Sequence, residues 1–528
     1  MEGVGQRIAM NPIRGQWHPR GLDAWPTALP SGTAGEDWWG WSSLPSPRTK
    51  WSPDQRSLVH EVVAQQYELA RLEAPSSLAS LAQSEARVVT VGHQLVIAGG
   101  PAFLHHKILS AIRTARALER LWGVPVVPLF WLASEDHDWK EVSTVHGMQQ
   151  GHQWIPEDAG TPWPVGRRSL NGLAEVIQAW GQDGPHQQEA DSLAREVRLA
   201  QTCGESLSGV FRRWLHRWYG EDGLLVLDPD DASLKASASH LWCNEMKGAG
   251  VAHMIGPKAQ SGPAHVRDNQ LFWLGDAAQG RVGLVPGAQQ GVWQAGSMSV
   301  TKPEAGWEEW AVSNAAHCSP GVLLRPLYQE FLLESAAVVV GPGEWGYWAQ
   351  LPEAFASSGL AMPSLRLRDH ALVISERVEE MGWDLSQGWM HEEDWDRWVL
   401  DGWMAGHAQA LQGWEAELGS TMAKAGEWAT NLSPELKGAS GAMSQSLDKA
   451  WQQWKKKVRR SLKNQRHQEW SASRAAHASL MRRGMPQDRW ANWHVLAATQ
   501  GGHDAWKKAW LTASEDGAAR LWILHSED

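Results

Sequence analysis

Cysteine is scarce in this chain: Cys203, Cys243 and Cys318 are three residues in 528, far apart and without a Cys-x-x-Cys pair. That spacing excludes a disulfide framework and a thiolate zinc site, and it fits a reducing compartment. Positive charge is short as well, with 48 Lys and Arg against 59 Asp and Glu for a net charge of -11. No general field exists to hold a nucleic-acid backbone, so no nucleic-acid partner is expected. The sequence has no apolar run of membrane-spanning length, and its first residues lack a basic start followed by an apolar stretch. The expectation is a cytoplasmic protein with no membrane partner. Tyr and Phe number only 4 and 6 beside 36 Trp. The tryptophans follow no repeat, and many fall at helical spacing, so they read as packing residues.

What remains is an ordinary globular composition, 43% hydrophobic and 20% charged, at a length that calls for several domains. Residues 1–85 read as an irregular Pro-, Gly- and Trp-rich arm followed by helices. Ser52-Pro53-Asp54-Gln55 has the form of a helix start, leading to a helix that runs to about Leu72. Residues 86–375 alternate strand and helix patterns. Arg87 to Val91, Val124 to Leu132, Leu224 to Leu227, Val322 to Leu324, Ala336 to Val340 and Leu365 to Leu367 are the strand candidates. Between the first two, Leu104, Ile108, Ala111, Ala115, Leu118 and Trp122 mark one buried stripe of a helix from Pro101. The fold class is α/β, with a mostly parallel sheet covered on both faces. Segments 171–204, helical, and 250–315, Gly-rich and β-like, are expected as insertions. In 376–528, Met404, Leu411, Leu418, Ala425 and Leu432 are spaced by seven, and Met443 to Leu462 repeats the pattern. An antiparallel helical coiled coil is expected there, and with it a homodimer.

Ligands of open parallel sheets bind outside the carboxyl ends of the strands. Four candidates end in polar or glycine-rich clusters: Gly92-His93-Gln94, Ser134-Glu135-Asp136-His137-Asp138, Asp228-Pro229-Asp230-Asp231 and Gly341-Pro342-Gly343-Glu344. Glu135, Asp136, His137 and Asp138 suit general acid–base work or an amine-binding rim, because crowded carboxylates shift one another's proton affinity. The same residues, with His93, His105 and His106, leave a metal-dependent hydrolase as an alternative, although no His-x-His or His-Glu-x-x-His pair occurs. A non-catalytic coiled-coil protein is a third reading. His106 and Lys107, away from the apolar stripe in an early turn of their helix, could meet an anion or could form a solvated face. Gly341 to Gly346 matches Gly-x-Gly-x-x-Gly, but Glu344 puts negative charge where pyrophosphate would lie. The basic run 455–466 reads as a solvated helix face.

At these residues the chain resembles the bacillithiol biosynthesis cysteine-adding enzymes, a family of cysteine ligases. The resemblance rests on Gly-Pro-x-x-x-x-His-Lys (Gly100 to Lys107), Pro125 to Asp138, Gly223 to Asp231, Ser319-Pro320 with Leu323 to Pro326, Gly341 to Gln350, and Gln487-Asp488-Arg489. It implies a Rossmann-like core akin to class I aminoacyl-tRNA synthetases, with a C-terminal coiled coil for dimerisation. It also implies the reaction, an amide bond between the carboxyl group of cysteine and the amine of glucosaminyl malate, the last step of bacillithiol synthesis. ATP or another nucleotide with Mg2+ is the expected cofactor, and no tightly bound transition metal is expected. His106, Asp136, His137 and Asp138 are the catalytic candidates. Gly92, His93, Gln94, Gly100, Lys107, Glu135, Arg325, Gly341, Gly343 and Glu344 are the binding candidates, with Gly100 to Lys107 in the place of the synthetase ATP signature. The chain departs from the family pattern at His93, Gly99, Phe103 and His105.

Overall fold

A computed structural model describes residues 10–13, 51–147, 150–257, 260, 262–276, 278–289, 291–383, 390–482, 484–498, 502–512 and 521–526. The expected arm before residue 51 lies outside them, apart from a strand, Met10–Ile13, paired antiparallel with Leu521–Ser526. The chain divides into two compact units, one of residues 10–13, 51–373, 487–512 and 521–526 among those described, the other of residues between 374 and 486. Residues after 486, expected as the tail of a separate C-terminal region, therefore belong to the first unit.

Five parallel strands form the core of that unit. They are β1 (Arg87–His93), β2 (Val126–Leu132), β3 (Leu225–Leu227), β4 (Ala337–Val340) and β5 (Ser364–Leu367), in the order β3-β2-β1-β4-β5. Their β-branched and apolar residues are buried on both faces, as parallel strands between helices must be. Along β1 the pleat sends Val89 and Val91 to one core cluster and Val88 to the other. The first face is covered by α2 (Ala102–Trp122), the second by helices including α1 (Pro53–Leu69), whose Val59, Val62, Val63 and Tyr67 are buried. The strand order reverses between β1 and β4, which puts the ligand-binding crevice of such a sheet at their carboxyl ends.

Val322–Leu324 is not a strand. It is a turn into the helix Arg325–Leu333, where Pro326 is well placed in the first turn, and the neighbouring strand is Cys318–Pro320. That strand pairs antiparallel with Leu271–Leu274, part of the small sheets that make up the β-rich insertion. The helical insertion consists of Leu173–Gly181 and Gln187–Thr202. Among the described residues no helix is long and apolar enough to cross a membrane.

The stripe on α2 faces the sheet as expected, but the opposite side is also buried. Helices Gln487–Trp490, Trp493–Ala498 and His503–Thr512 pack on it, and the amide of Ala102 donates to the carbonyl of Ala491 at 2.9 Å. His105 stacks on Trp493 with ring centroids 3.8 Å apart, and His106 on Trp510 at 4.8 Å. Much of the tryptophan excess is used this way, with Trp180, Trp214, Trp493, Trp506 and Trp510 fully buried in one cluster.

In the second unit, α3 (Ala408–Leu432) and α4 (Lys437–Gln465) form a helical hairpin through a turn at Pro434–Leu436. Leu411, Leu418 and Ala425 are half-buried along it, while Trp428 and Leu432 are 68% and 67% exposed. The basic run is a solvated face as expected, with Lys456, Lys457, Arg460 and Arg466 exposed, and it carries surface ion pairs of Lys455 with Glu415 at 3.1 Å and Arg459 with Asp401 at 2.6 Å.

Burial pulls the imidazoles of His106 and His494 down to about 3. The unfolded chain, with histidines near 6.5, binds protons between these values that the folded chain does not, so stability rises with pH across that window. Acidification below pH 6.5 should cost about 1 kcal/mol per buried histidine for each pH unit. Thermal unfolding followed by circular dichroism should therefore give a lower Tm at pH 5 than at pH 7, and an equal or higher Tm at pH 5 would contradict these neutral, buried rings.

Candidate active site

The crevice at the β1–β4 switch point opens into a cavity of about 630 Å³, a size suited to a small ligand. Its floor comes from strand ends: Gly92, His93 and Gln94 at the end of β1, and Leu132 to Asp136 at the end of β2. Arg325, Glu344 and Tyr347 line it from the β4 side, and the insertion contributes Arg267, Gln270, Phe272 and Arg281. Of the residues singled out from sequence, Gly92, His93, Gln94, Glu135, Asp136, Arg325 and Glu344 line this one cavity.

Gln94 links two strand ends by donating from Nε2 to Asp136 Oδ2 at 2.7 Å. Asp136 Oδ1 accepts from the amide of His137 at 2.7 Å, and Arg281 lies 4.0 Å away. Burial pushes the Asp136 carboxyl up, but the Gln94 hydrogen bond, Arg281 and the two backbone donors outweigh it and hold the group below its ordinary value. Glu135 behaves in the opposite sense. Burial raises its pKa more than the ammonium of Lys235, 2.6 Å from Oε1, lowers it. Lys235 also reaches Asp230 at 2.6 Å, and Arg167 grips Asp230 with two hydrogen bonds at 2.6 and 2.8 Å. Two carboxylates in adjacent positions thus differ in basicity because one is saturated with donors and the other is desolvated.

His137 is half-buried, and burial together with Arg281 lowers its pKa. Its Nδ1 lies 3.2 Å from Arg281 Nη1, which can only donate, so the neutral ring carries its proton on Nε2. Asp138 is exposed and caps the short helix Trp139–Val142, accepting from the amide of Lys140 at 3.1 Å. His93 donates from Nδ1 to the carbonyl of Gln94 at 2.9 Å, and burial, aided by Lys107, pulls its imidazole down to about 4.

His106 and Lys107 do not form a solvated face or a free anion grip. His106 is fully buried, 4.0 Å from Asp488 Oδ2, in a pocket where Asp488 also binds Arg368 at 2.8 Å. Lys107 is buried too, and its ammonium donates to the carbonyl of Gly92 and pairs with Glu344. Glu344 in turn accepts from the amide of Gly341 at 2.9 Å, so a side chain of the protein occupies the helix start where a dinucleotide phosphate would sit. Gly341 caps the helix Pro342–Trp348, while Gly343 has open space around it. Gly100 has a positive φ of 60°, and a Cβ there would lie 2.3 Å from Val96. Its role is to let the chain turn into α2.

Sequence reasoning missed Arg267, Gln270, Phe272, Arg281 and Lys235. Arg281 is held in place by Ser319 Oγ at 2.9 Å and the carbonyl of Pro320 at 2.8 Å. Lys235 carried a local signal, since it follows the Asp228–Asp231 cluster at helical spacing from Asp231. Among the described residues no three His, Cys, Asp or Glu side chains converge as a metal-binding group.

A nucleotide would need cations for its phosphates. His106, buried against Trp510, and Lys107, already engaged by Gly92 and Glu344, do not fit that task here. Arg325 does: it lines the cavity and its partners, Gln329 at 3.0 Å and the Tyr347 hydroxyl at 2.5 Å, are neutral.

Comparison with known proteins places this geometry. A protein from Salinibacter ruber, named "Putative cysteine ligase BshC", is 27% identical over 363 residues, 65% of each chain. A protein of the same name from Cytophaga hutchinsonii is 29% identical over 342 residues, 62% of each chain. The match thus spans less than two thirds of the length of these relatives. The sequence model of the bacillithiol biosynthesis BshC N-terminal Rossmann-like domain matches residues 43–369, which contain all five core strands and every cavity-lining residue named above. The chain belongs to the BshC family of bacillithiol biosynthesis.

Proposed function

We propose that the protein is a cysteine ligase that joins the carboxyl group of cysteine to the amine of glucosaminyl malate, completing bacillithiol. Family membership supports the reaction class. The observation that carries the reading is the pair of unlike carboxylates, Glu135 and Asp136, on one wall of the switch-point cavity.

An amine must be bound, oriented and deprotonated before it can attack. Asp136, held ionised, suits the ammonium form of the substrate. Glu135, with its raised pKa, is the better proton acceptor of the two. Glu135 takes one proton of the ammonium and so frees its lone pair, which forms the C–N bond to the activated cysteine carboxyl carbon; the leaving group departs with the electrons of its bond to that carbon and carries away the second amine proton. A nucleotide, when bound with Mg2+, supplies the activation of that carboxyl group, and Arg325 is the residue placed to hold its phosphates. His137, with Nε2–H free, acts as a donor toward substrate oxygen in this arrangement. The partners are thus cysteine and glucosaminyl malate, in the cytoplasm.

Mass spectrometry of a mixture of protein, cysteine, glucosaminyl malate and ATP should show the amide product. Glu135→Gln and Asp136→Asn should each cut its rate by at least about a hundredfold while the fold is kept. The acid limb of the rate profile should lie above the ordinary carboxylate range, because Glu135 must lose its proton first. Lys235→Met removes the ammonium that lowers the Glu135 pKa, so it should move that limb to still higher pH. Full activity in both carboxylate variants would reject these roles.

We also propose a homodimer formed through the α3–α4 hairpin, whose Trp428 and Leu432 remain exposed. Sedimentation should show a dimer that Trp428→Glu with Leu432→Glu converts to monomers, and a monomeric unaltered protein would contradict it.

A further inference from the structure

Resting on the amine-ligase reading, we propose that the β-rich insertion carries the site for the acidic arm of the amine substrate, with Arg267 and Arg281 clamping a dicarboxylate over Phe272. Both guanidinium groups lie over the Phe272 ring, at 4.9 and 4.0 Å from its centroid, and all three residues line the cavity. Such contacts fix guanidinium planes without neutralising them.

The two cations differ in what balances them. Arg281 has Asp136 at 4.0 Å, and its hydrogen-bond partners, Ser319, the Pro320 carbonyl and His137, are neutral. Arg267 forms no ion pair among the described residues. Two like charges over one ring repel, and a bound group with two carboxylates removes that repulsion while accepting from both forks. The opposite charge is supplied nearby by Glu135 and Asp136, so the cavity has a cationic wall from the insertion and an anionic wall from the β2 end.

The substrate has matching chemistry. In an amino sugar carrying its acid on the anomeric oxygen, the amine sits on the adjacent carbon, so the acid and amine must be recognised side by side. Arg281 spans these two places: it shares Phe272 with Arg267 and also touches His137 beside Asp136. A dicarboxylate on the clamp therefore brings the neighbouring amine to the carboxylates assigned to bind and deprotonate it. The insertion acts as the specificity element, separate from the strand ends that carry the chemistry.

Calorimetric titration of the full chain with malate, and separately with ATP, tests this. The unaltered protein should bind malate saturably. Arg267→Gln should weaken malate about tenfold or more and raise KM for glucosaminyl malate by a similar factor, with Arg267→Lys intermediate and ATP affinity unchanged. Circular dichroism confirms that each variant is folded. Absence of malate binding to the unaltered protein, unchanged malate affinity in Arg267→Gln, or a loss confined to ATP would overturn the clamp. The two readings fail separately. Amide product formed with an unchanged KM in Arg267→Gln sinks the clamp alone, whereas Arg267-dependent malate binding without amide product sinks the ligase reading alone.

Discussion

The buried ammonium of Lys107 ties together the two strand ends that define the crevice. It sits on α2, donates to the Gly92 carbonyl at the end of β1, and pairs with Glu344 on the helix that follows β4. Burial lowers its pKa, and Glu344 opposes that effect. A buried charge pair of this kind gives little net stability against a well-packed apolar pair, but removing one partner strands the other at about 3–5 kcal/mol. The arrangement therefore specifies geometry. It ties the two strand ends of the switch point together and fills the helix start with a carboxylate of the protein.

That layout divides the work among distant parts of the chain. The β2 end presents Glu135 and Asp136, whose proton affinities are driven apart by desolvation on one side and by Gln94 and Arg281 on the other. Lys235, from beyond β3 and itself held by Asp230, anchors Glu135 from behind. The tail after residue 486 seals the outer side of α2, so the stretch from Leu104 to Ala115, which carries His106 and Lys107, is buried all round. His106 contributes there to a buried polar cluster with Asp488, Arg368 and His370, behind the site and not within it.

The core strands were legible because β-branched runs bounded by turn residues have few alternatives, and Glu135-Asp136-His137-Asp138 stood out as a polar cluster directly after an apolar strand. Val322–Leu324 was misread because three apolar residues have no period, and Pro326 decides for a helix. His106 and Lys107 read from sequence as an anion grip or a solvated face because the segments that cover this side of α2, including the C-terminal tail, are remote in sequence. Arg267 and Arg281 carried no local signal at all. Their position depends on antiparallel pairing within the insertion and on Ser319 and Pro320. Local pattern thus revealed which strands end in polar clusters, while the groups proposed to select the substrate emerged only from long-range packing.

A crystal structure of the protein with glucosaminyl malate bound is the most direct measurement. The sugar amine should lie within hydrogen-bond distance of Asp136 or Glu135, with the malyl carboxylates against Arg267 and Arg281 and the sugar in the switch-point cavity. A ligand bound elsewhere, or one in the cavity with its amine turned away from both carboxylates, would contradict the account.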